Sequence, residues 1–334
     1  IVACGRMGDP AAAQSAGSAL TPVRLGPMIL CRQPFDHEEP CEMPFQSGFE
    51  HILREHEAMA PYTWLRLGGE AEYFAEPTSV EELVQLVHRC HQENMPVRLL
   101  GGGSNVLIRS EGVKGLVIHL SAGRFCDVRA DDSGLTAGGG AKLSHLISAA
   151  VREGLAGLEP LAGIPGTVGG ALHGNATCHG TDIGHCTQAA TVLTHSGELV
   201  ERTRGDLLFA YRESSLDELA ILQARFELEQ ADPWELTKRM QKLWIVNKAA
   251  QPLREQRTAM LFKDPGGISA ASLIDQAGLH GTRIGGVELS DRNANYVVVG
   301  ANAVSRDVLG LIDYLREGVL QRLGVELQTA VDIW

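Results

Sequence analysis

The chain has 334 residues, with 29 Lys and Arg against 41 Asp and Glu, and therefore a formal net charge of −12. This length predicts two or three domains, and 44% hydrophobic with 21% charged residues excludes a largely disordered chain or a collagen-like repeat. The acidic balance argues against nucleic acids and anionic membranes as partners, because like charges repel. Any anionic ligand must therefore meet a locally basic segment.

The cysteine pattern and the hydropathy of the chain indicate a cytoplasmic protein. The seven cysteines form no CxxC pair and are odd in number, which is more typical of reduced thiols than of a disulfide framework. No apolar run approaches the roughly 18 residues of a membrane helix, and the first ten residues lack the layout of a secretory signal. We therefore expect a cytoplasmic protein without membrane contact. A monomer is a separate expectation, which these patterns do not test.

Regular elements begin only after an irregular first segment. Residues 1–48 are rich in Ala, Gly, Pro and Ser without a sustained period, which predicts a poorly ordered appendage. Thr78 and Ser79 are each followed three residues later by Glu, a doubled capping-box signal. The apolar spacing beyond them predicts a helix to about Asn94.

A glycine-rich turn lies between two short strand-like segments. Val97 to Leu100 and Val106 to Ile108 have the composition of strands and flank Gly-Gly-Gly-Ser-Asn at 101–105. Leu116 to Leu120 predicts another strand. A second amphipathic helix, ended by Gly154, is predicted from its apolar face: Leu143, Leu146, Ile147, Ala150 and Val151.

A second change in composition, at Asp232-Pro233, predicts a boundary between domains at 49–230 and 231–334. The capping Asp and first-turn Pro begin a helix to about Asn247. Further on, the patterns predict a helix at 269–276, strands at 283–289 and 296–299, and a long helix capped by Ser305 and ended by Gly324. A mixed α+β fold is the simplest class for this order.

The turn at 101–105 is the first candidate binding element. Successive glycines let a backbone approach a ligand closely, and their N–H groups can form an anion nest. The GxGxxG spacing is absent and a strand follows the turn, so the pattern is not a dinucleotide fingerprint anchored on a helix N-terminus. Taken alone, such a turn is more often a tight structural turn than a binding element.

A second glycine-rich element runs from Leu155 to Ala171. Small residues at this density suit a backbone that lies against a flat ring or a pyrophosphate, and they also suit the close packing of a helix on a sheet. Two such elements in one domain favour a cofactor site.

The segment from residue 238 to residue 263 is strongly basic, with seven basic residues and one acid. A local positive potential of this kind suits a diphosphate or nucleotide substrate. Lys238, Arg239 and Lys242 have the spacing of a solvated helix face. The better candidates for ligand binding are Lys248, Arg254, Arg257 and Lys263.

Histidines and cysteines crowd another segment, at His173, Cys178, His179, His185 and Cys186. Their spacing matches no common pattern of zinc ligands. We therefore expect no metal site.

Taken together, these motifs resemble the flavin-dependent UDP-N-acetylenolpyruvoylglucosamine reductases, the MurB-type enzymes of peptidoglycan precursor synthesis. The likeness covers about residue 60 to the end and rests on Thr63 to Gly69, Gly157-Leu-Glu159 and both glycine-rich elements. It implies a two-part vanillyl-alcohol-oxidase-like FAD-binding domain and a C-terminal α+β substrate-binding domain. The implied FAD-binding residues are Leu100, Gly101, Gly102, Gly103, Ser104, Asn105, Gly163, Ile164, Pro165, Gly166, Thr167, Gly169, Gly170 and Asn175.

The resemblance also implies a reaction. In that family NADPH reduces FAD, the flavin passes hydride to the enolpyruvyl double bond of a UDP-sugar, and a serine protonates the neighbouring carbon. An arginine and a glutamate stabilise the enolate-like charge, which is the expected place for a fixed cation. Arg212 matches the arginine and Tyr211 its neighbour, and Lys248 and Lys263 would bind substrate. The short span between Arg212 and Lys263 resembles the subclass that lacks an extra substrate-capping loop.

Five positions on the substrate side depart from the family pattern, and two of them are Asn293 and Val299, where the shorter subclass usually has His and Asn. Met260 stands at the proton-donating serine, Ala330 at the catalytic glutamate, and Asp264 at an asparagine that faces the substrate diphosphate. A thioether cannot donate a proton. General acid catalysis contributes about 10²- to 10⁴-fold, so we expect slow turnover unless Thr258, Lys263 or water supplies the proton.

Two functions therefore stay open at this point. The first is an FAD-dependent reductase of UDP-N-acetylglucosamine enolpyruvate, which the basic segment and Arg212 favour. The alternative is an FAD-binding paralogue with an altered acceptor or without catalysis, which Met260, Asp264 and Ala330 favour.

Overall fold

The computed structural model describes residues 45–131, 134–252 and 257–334. Most of the predicted appendage, and Arg254 of the basic segment, lie outside the described residues. Phe45 is buried and packs on the ring of Tyr73 with the ring centroids 4.9 Å apart. Within the described residues, the hydrophobic core therefore includes a residue four positions before the predicted boundary at 49.

The first sheet has four strands in the order Leu53–Ala58, Glu70–Ala75, Val113–His119 and Val97–Leu100. The first pair is antiparallel, and the other two pairs are parallel. Leu116 and Ile118 pack on one face with the helix Val80–Gln92, whereas Val117 packs on the other face with Phe74. Burial on both faces explains why Leu116, Val117 and Ile118 form a continuous apolar run in the sequence.

The second sheet has five antiparallel strands in the order Leu199–Thr203, Thr187–Leu193, Ala220–Phe226, Gly134–Gly138 and Val128–Asp131. The helix Leu143–Arg152 places Leu146 and Ile147 in one buried cluster with Val192 and Phe226. Its predicted apolar face is thus the face that packs against strand residues of this sheet.

The third sheet lies in the C-terminal part, with antiparallel strands in the order Thr258–Met260, Asn293–Val299, Val287–Ser290 and Arg283–Ile284. The helices Ala270–Gln276 and Ser305–Leu323 share its core. Leu65, Leu67 and Leu107, from much earlier in the chain, are buried in the same cluster. The segment from Thr63 to Gly69 and the strand after the glycine turn are thereby anchored to the C-terminal core.

Two predictions in the C-terminal part are wrong in detail. The segment 283–289 is two strands, because Gly285 has a left-handed φ of 54° and turns the chain. Ser305 is the first helical residue and not the cap. Its buried hydroxyl oxygen instead accepts from the amide of Ser110 at 2.9 Å, while Asp307 accepts from the amide of Val304 at 3.1 Å and caps the helix.

Helix starts that have local capping signals are confirmed. Ser79 Oγ accepts from the amide of Glu82 at 3.1 Å, and the helix Val80–Gln92 follows. Asp232 accepts from the amides of Trp234 and Glu235, and the helix Pro233–Ala250 follows. The mixed order of helices and strands confirms the α+β class.

The remaining elements are short. Four strand pairs are Val106–Leu107 with Asp332–Ile333, Leu155–Ala156 with Glu229–Gln230, Thr177–Cys178 with Thr181–Asp182, and Phe209–Ala210 with Glu213–Ser214. Two short α-helices are Gly123–Cys126 and Val168–His173, and single 3₁₀ turns are Ala60–Tyr62, Glu159–Leu161, Ile183–Cys186, Arg204–Asp206 and Pro265–Gly267. Throughout the described ranges, every helix is too short or too polar to span a bilayer.

Candidate active site

The two glycine-rich elements lie against each other. A Cβ atom on Gly102 would stand 2.8 Å from the Cα of Gly166, and one on Gly101 would stand 2.8 Å from Thr167 Oγ1. Ser104 Oγ donates to the carbonyl of Pro165 at 3.3 Å. Residues about 60 positions apart in the sequence therefore form one continuous backbone surface.

Gly103 fixes the shape of the first element. Its φ is 62°, and a Cβ there would stand 2.0 Å from the carbonyl oxygen of Tyr62. Its own carbonyl accepts from the amide of Trp64 at 2.9 Å. Neighbouring Thr63 is buried and donates to the carbonyl of Leu67 at 3.0 Å. The motif from Thr63 to Gly69 thus packs against the turn and fixes its conformation.

The amides of this turn provide a test for a phosphate-bearing ligand. Among the hydrogen bonds within the described residues, none is donated by the backbone amides of Gly102, Gly103, Ser104 and Asn105. Backbone N–H groups in folded proteins usually have an acceptor, and successive free N–H groups form a concave anion site. The turn therefore fits the pyrophosphate of a dinucleotide cofactor.

Other predicted cofactor residues already have partners within the protein. The amide of Gly169 donates to the carbonyl of Gly139 at 2.8 Å, and that of Gly170 donates to Thr167 Oγ1 at 3.3 Å. Asn175 Nδ2 donates to the carbonyl of Ala210 at 2.7 Å, which ties the second glycine-rich element to the hairpin of Tyr211. Direct contacts from these residues, and from Leu100, Gly163 and Ile164, to a cofactor stay a prediction.

Tyr211 and Arg212 form the two-residue turn of the hairpin between Phe209–Ala210 and Glu213–Ser214. Arg212 has a left-handed φ of 60°, which a non-glycine residue adopts only under constraint. Its Nη2 donates to the sulfur of Met260 at 3.9 Å, and its buried Nε has no acceptor in the described part of the chain. The guanidinium at the predicted catalytic position therefore has a buried N–H group without a protein acceptor in the described ranges.

The predicted substrate-binding residues gather at the same hairpin. Lys263 Nζ pairs with Glu213 Oε1 at 3.0 Å, and the amide of Asp264 donates to the Tyr211 hydroxyl at 3.4 Å. Asp264 Oδ1 accepts from the amide of Ala270 at 2.8 Å, so its side chain orders the following helix.

The rest of the basic segment is divided among different roles. Lys248 lies over the ring of Trp244, with its Nζ 4.2 Å from the centroid. Arg257 donates to the carbonyl of Gly300 at 3.0 Å. Arg239, predicted on a solvated helix face, instead pairs with buried Glu159 at 2.9 Å, because that face of the helix packs near the second glycine-rich element.

Ala330 joins the substrate side to the glycine turn. Its amide donates to the carbonyl of Leu261 at 2.8 Å, and its carbonyl accepts from Asn105 Nδ2 at 2.8 Å. Two departures from the family pattern, Met260 and Ala330, therefore lie on neighbouring segments next to the cofactor turn.

Tyr296 is a residue of this region that the sequence patterns did not single out. It is the direct antiparallel partner of Met260. Burial raises the pKa of the Tyr296 phenol, and the charge of Arg212 opposes that rise, while Cys178 and Asp264 add to it. Only the pairing register could have identified Tyr296, because its own segment predicts an ordinary strand.

The crowded histidines and cysteines serve as structural groups. His173 Nδ1 lies 2.9 Å from the carbonyl of Leu216, and His179 Nε2 lies 2.8 Å from Asn247 Oδ1. Burial raises the pKa of the Cys186 thiol to about 11. In the described ranges, no group of three or more His, Cys, Asp or Glu side chains is placed to hold a metal ion.

Comparison with known proteins decides the family. Residues 71–203 match the FAD binding domain family, and residues 251–334 match the C-terminal domain of UDP-N-acetylenolpyruvoylglucosamine reductase. A UDP-N-acetylenolpyruvoylglucosamine reductase of Rhodopirellula baltica is 39% identical over 290 residues, which cover 87% of this chain and 95% of that protein. The chain belongs to the UDP-N-acetylenolpyruvoylglucosamine reductase family.

Other members of this reductase family agree. The Listeria innocua protein is 38% identical over 291 residues, covering 86% of this chain and 97% of that protein. The crystal structure of the Thermus caldophilus reductase superimposes with a TM-score of 0.72 at 32% identity, covering 85% of this chain and all of that one. The predicted FAD-binding domain and the C-terminal reductase domain are confirmed, and FAD is the cofactor that this family membership assigns.

Proposed function

We propose that this reductase-family protein uses NADPH and FAD to reduce UDP-N-acetylglucosamine enolpyruvate in peptidoglycan precursor synthesis. The observation that carries the proposal is the position of Arg212. Its guanidinium lies 3.9 Å from the side chain at the family's proton-donor position, and its buried Nε has no acceptor among the described residues. A fixed cation with a free donor is what a developing carboxylate-side charge requires.

The residues that would hold FAD are those of the joined glycine-rich elements. The free amides of residues 102–105 would bind its pyrophosphate, and the backbone at Gly166 and Thr167 would form the other wall. When bound, FAD supplies hydride transfer between NADPH and the substrate double bond.

The chain's own residues orient the substrate and stabilise charge. Arg212 would pair with the enolpyruvyl carboxylate and stabilise the negative charge that hydride addition places there. Lys263 would exchange its partner Glu213, whose side chain is 68% exposed, for a substrate phosphate. Tyr211, held through its hydroxyl by the amide of Asp264, would position both neighbours.

An anaerobic half-reaction tests the proposal. The holoenzyme is reduced with one equivalent of NADPH, the enolpyruvyl UDP-sugar is added, and flavin absorbance is followed. We expect reoxidation with a product two mass units heavier than the substrate. A flavin that stays reduced in the presence of saturating substrate would refute the proposed reaction.

A second candidate function is that of an FAD-binding paralogue with another acceptor. It is favoured by the side chains at two positions, because neither Met260 nor Ala330 can donate a proton or carry a carboxylate. In the same experiment the flavin of this paralogue would stay reduced when the UDP-sugar is added and would be reoxidised only by a different acceptor. The flavin absorbance therefore separates the two functions.

Location and oligomeric state form part of the same proposal. The described cysteines, Cys90, Cys126, Cys178 and Cys186, are free thiols, as expected in the reducing cytoplasm. We expect a monomer, and size-exclusion chromatography with light scattering tests that expectation.

A further inference from the structure

The proposed reduction, on which this inference rests, adds a proton to a substrate carbon. The residue at the family's proton-donor position cannot supply that proton. Met260 carries a thioether there, and a thioether has no proton to give. We propose that the hydroxyl of Tyr296 is this donor. The inference rests on the proposed function, and it assigns a catalytic role to a phenol on the neighbouring strand.

The register of the third sheet places Tyr296 on the same sheet face as Met260. Ala259 and Val297 are direct cross-strand partners, and both are buried in the C-terminal core. Side chains alternate between the two faces of a strand, so the next pair, Met260 and Tyr296, points away from that core. Side chains of directly opposite residues lie about 4.5–5.5 Å apart at Cβ. The side chain of Tyr296 therefore begins beside the residue at the family's hydroxyl position and leaves the sheet on the same face.

The groups that act on the Tyr296 hydroxyl come from both sides of the site. Arg212 belongs to the substrate hairpin, and Asp264 to the segment that contacts Tyr211. Cys178 lies on the other side, where its thiol contacts Asn247 Oδ1 at 3.5 Å. Asn247 in turn donates to the carbonyl of Ala162, which belongs to the second glycine-rich element. The pKa of the Tyr296 phenol is thus influenced both by the substrate residues and by a thiol that contacts Asn247.

The electrostatic environment suits a donor. Burial raises the pKa of Tyr296, so the phenol holds its proton at neutral pH. The charge of Arg212 opposes this rise and stabilises the phenolate that remains after donation. The phenol is therefore protonated before the reaction, as a general acid must be.

The step is balanced in atoms and electrons. The terminal carbon of the enolpyruvyl double bond receives hydride that originates in NADPH, and the π electron pair moves to the neighbouring carbon and its carboxylate. That carbon then forms a C–H bond with the phenolic proton while the O–H bond of Tyr296 breaks. Water returns a proton to the phenolate before the next turnover.

Two other groups compete for this role. Lys263 is occupied by Glu213 at 3.0 Å. Thr258 Oγ1 is buried without a partner in the described part of the chain, two residues from Met260. An aliphatic hydroxyl leaves an alkoxide when it donates, whereas a phenol leaves a far more stable anion. This difference favours Tyr296.

The test uses the FAD-loaded full chain and Tyr296→Phe. We expect reduction of the flavin by NADPH to keep its rate, and reoxidation by the enolpyruvyl UDP-sugar to slow by about 10²- to 10⁴-fold. Calorimetric affinity of the oxidised holoenzyme for the UDP-sugar should stay within about threefold, and the melting temperature should not fall, because a phenyl ring keeps the packing. Tyr314→Phe, on an exposed helix position, is the matched control.

A rescue variant makes the assignment specific. Adding Met260→Ser to Tyr296→Phe returns a hydroxyl to the family position, and we expect reoxidation to recover at least tenfold. If Tyr296→Phe proves unstable, fluorotyrosine at position 296 replaces it. A fluorinated phenol has a lower pKa, so the loss of rate at high pH should move to lower pH.

The outcomes separate the two proposals. A wild-type enzyme that never reduces the UDP-sugar refutes the proposed function and the donor role together. If the wild type is active and Tyr296→Phe reoxidises its flavin equally fast, only the donor role is refuted. In that case, a slower reoxidation in Thr258→Val would assign the donor role to Thr258. An unshifted pH profile for fluorotyrosine also refutes the role of Tyr296.

Discussion

The sulfur of Met260 lies 3.9 Å from Nη2 of Arg212. A thioether is a weak acceptor, so this contact satisfies the guanidinium only partly. The buried Nε of the same arginine has no protein acceptor in the ranges that the structure describes. A buried charged donor without a strong acceptor is costly in a folded protein, which is consistent with a site that awaits an anionic substrate.

Arg212→Lys should slow substrate-dependent flavin reoxidation by about 10²-fold, because removal of a fixed donor to a developing oxyanion costs about that much. Lysine keeps the charge and loses the planar fork that pairs with a carboxylate. Stopped-flow absorbance measures the rate, and Arg129→Lys, at an exposed surface position, is the control. Equal rates for Arg212→Lys and wild type would show that the guanidinium does not contact the substrate.

Asp264→Asn should improve binding of the UDP-sugar about tenfold, which corresponds to about 1.4 kcal/mol. The replacement removes a carboxylate that would repel a diphosphate, and an asparagine oxygen can still accept from the amide of Ala270. Isothermal calorimetry measures the affinity.

Asp313→Asn is the control for Asp264→Asn, because it changes the net charge equally at a largely exposed carboxylate. Unchanged affinity in both variants would mean that Asp264 does not face the diphosphate.

Gly102→Ala should reduce flavin retention and stability. The new methyl group would meet the Cα of Gly166 at 2.8 Å, a backbone contact that cannot be relieved by a rotamer change. Overpacking of this kind costs about 1–3 kcal/mol. Flavin content after dialysis and the melting temperature are the readouts.

Gly123→Ala is the control for Gly102→Ala, since a Cβ there meets nothing within 4 Å. Full flavin occupancy in Gly102→Ala would show that the two glycine-rich elements separate easily.

The capping carboxylate of Glu82 should stabilise the protein in a pH-dependent way. Its contacts with His51 and with Thr78 lower the pKa of Glu82 from 4.5 to about 2. A carboxylate with a lowered pKa stabilises the folded state above its ordinary pKa, and this contribution is lost as pH falls from 4.5 towards 2. Glu82→Gln should therefore lower the free energy of unfolding at pH 6 and have little effect at pH 2.

Urea unfolding at the two pH values measures this contribution. Glu111→Gln, at an exposed position, should change neither value. A Glu82→Gln effect of the same size at both pH values would contradict the link to ionisation.

Local signals made part of the fold predictable. Ser79 and Asp232 mark helix starts because each capping side chain and the amide that donates to it lie within three residues of each other. The Ser305 cap was a wrong prediction because Ser110, which is 195 positions away, engages the same hydroxyl. Helix-capping propensity cannot predict a hydrogen-bond partner that only the tertiary fold brings close.

The candidate site divides in the same way. The glycine turn at 101–105 was predictable from composition, whereas its contact with Gly166 depends on how the chain folds back. Met260 was identified by its place in a motif. Tyr296 entered the site only through the pairing register of two strands, and a register is set by turns and packing that a single sequence does not display.

The strand Val106–Leu107, directly after the glycine turn, pairs with Asp332–Ile333, and Asn105 bonds to Ala330 across 225 positions. During translation, the glycine turn is therefore synthesised long before the C-terminal segment with which it pairs. Contacts of such separation form late and slowly, so the nascent protein should acquire a flavin-competent turn only after residue 333 has left the exit tunnel. Binding of flavin then indicates that folding is complete. Any fragment that ends before residue 330 should be purified without bound flavin.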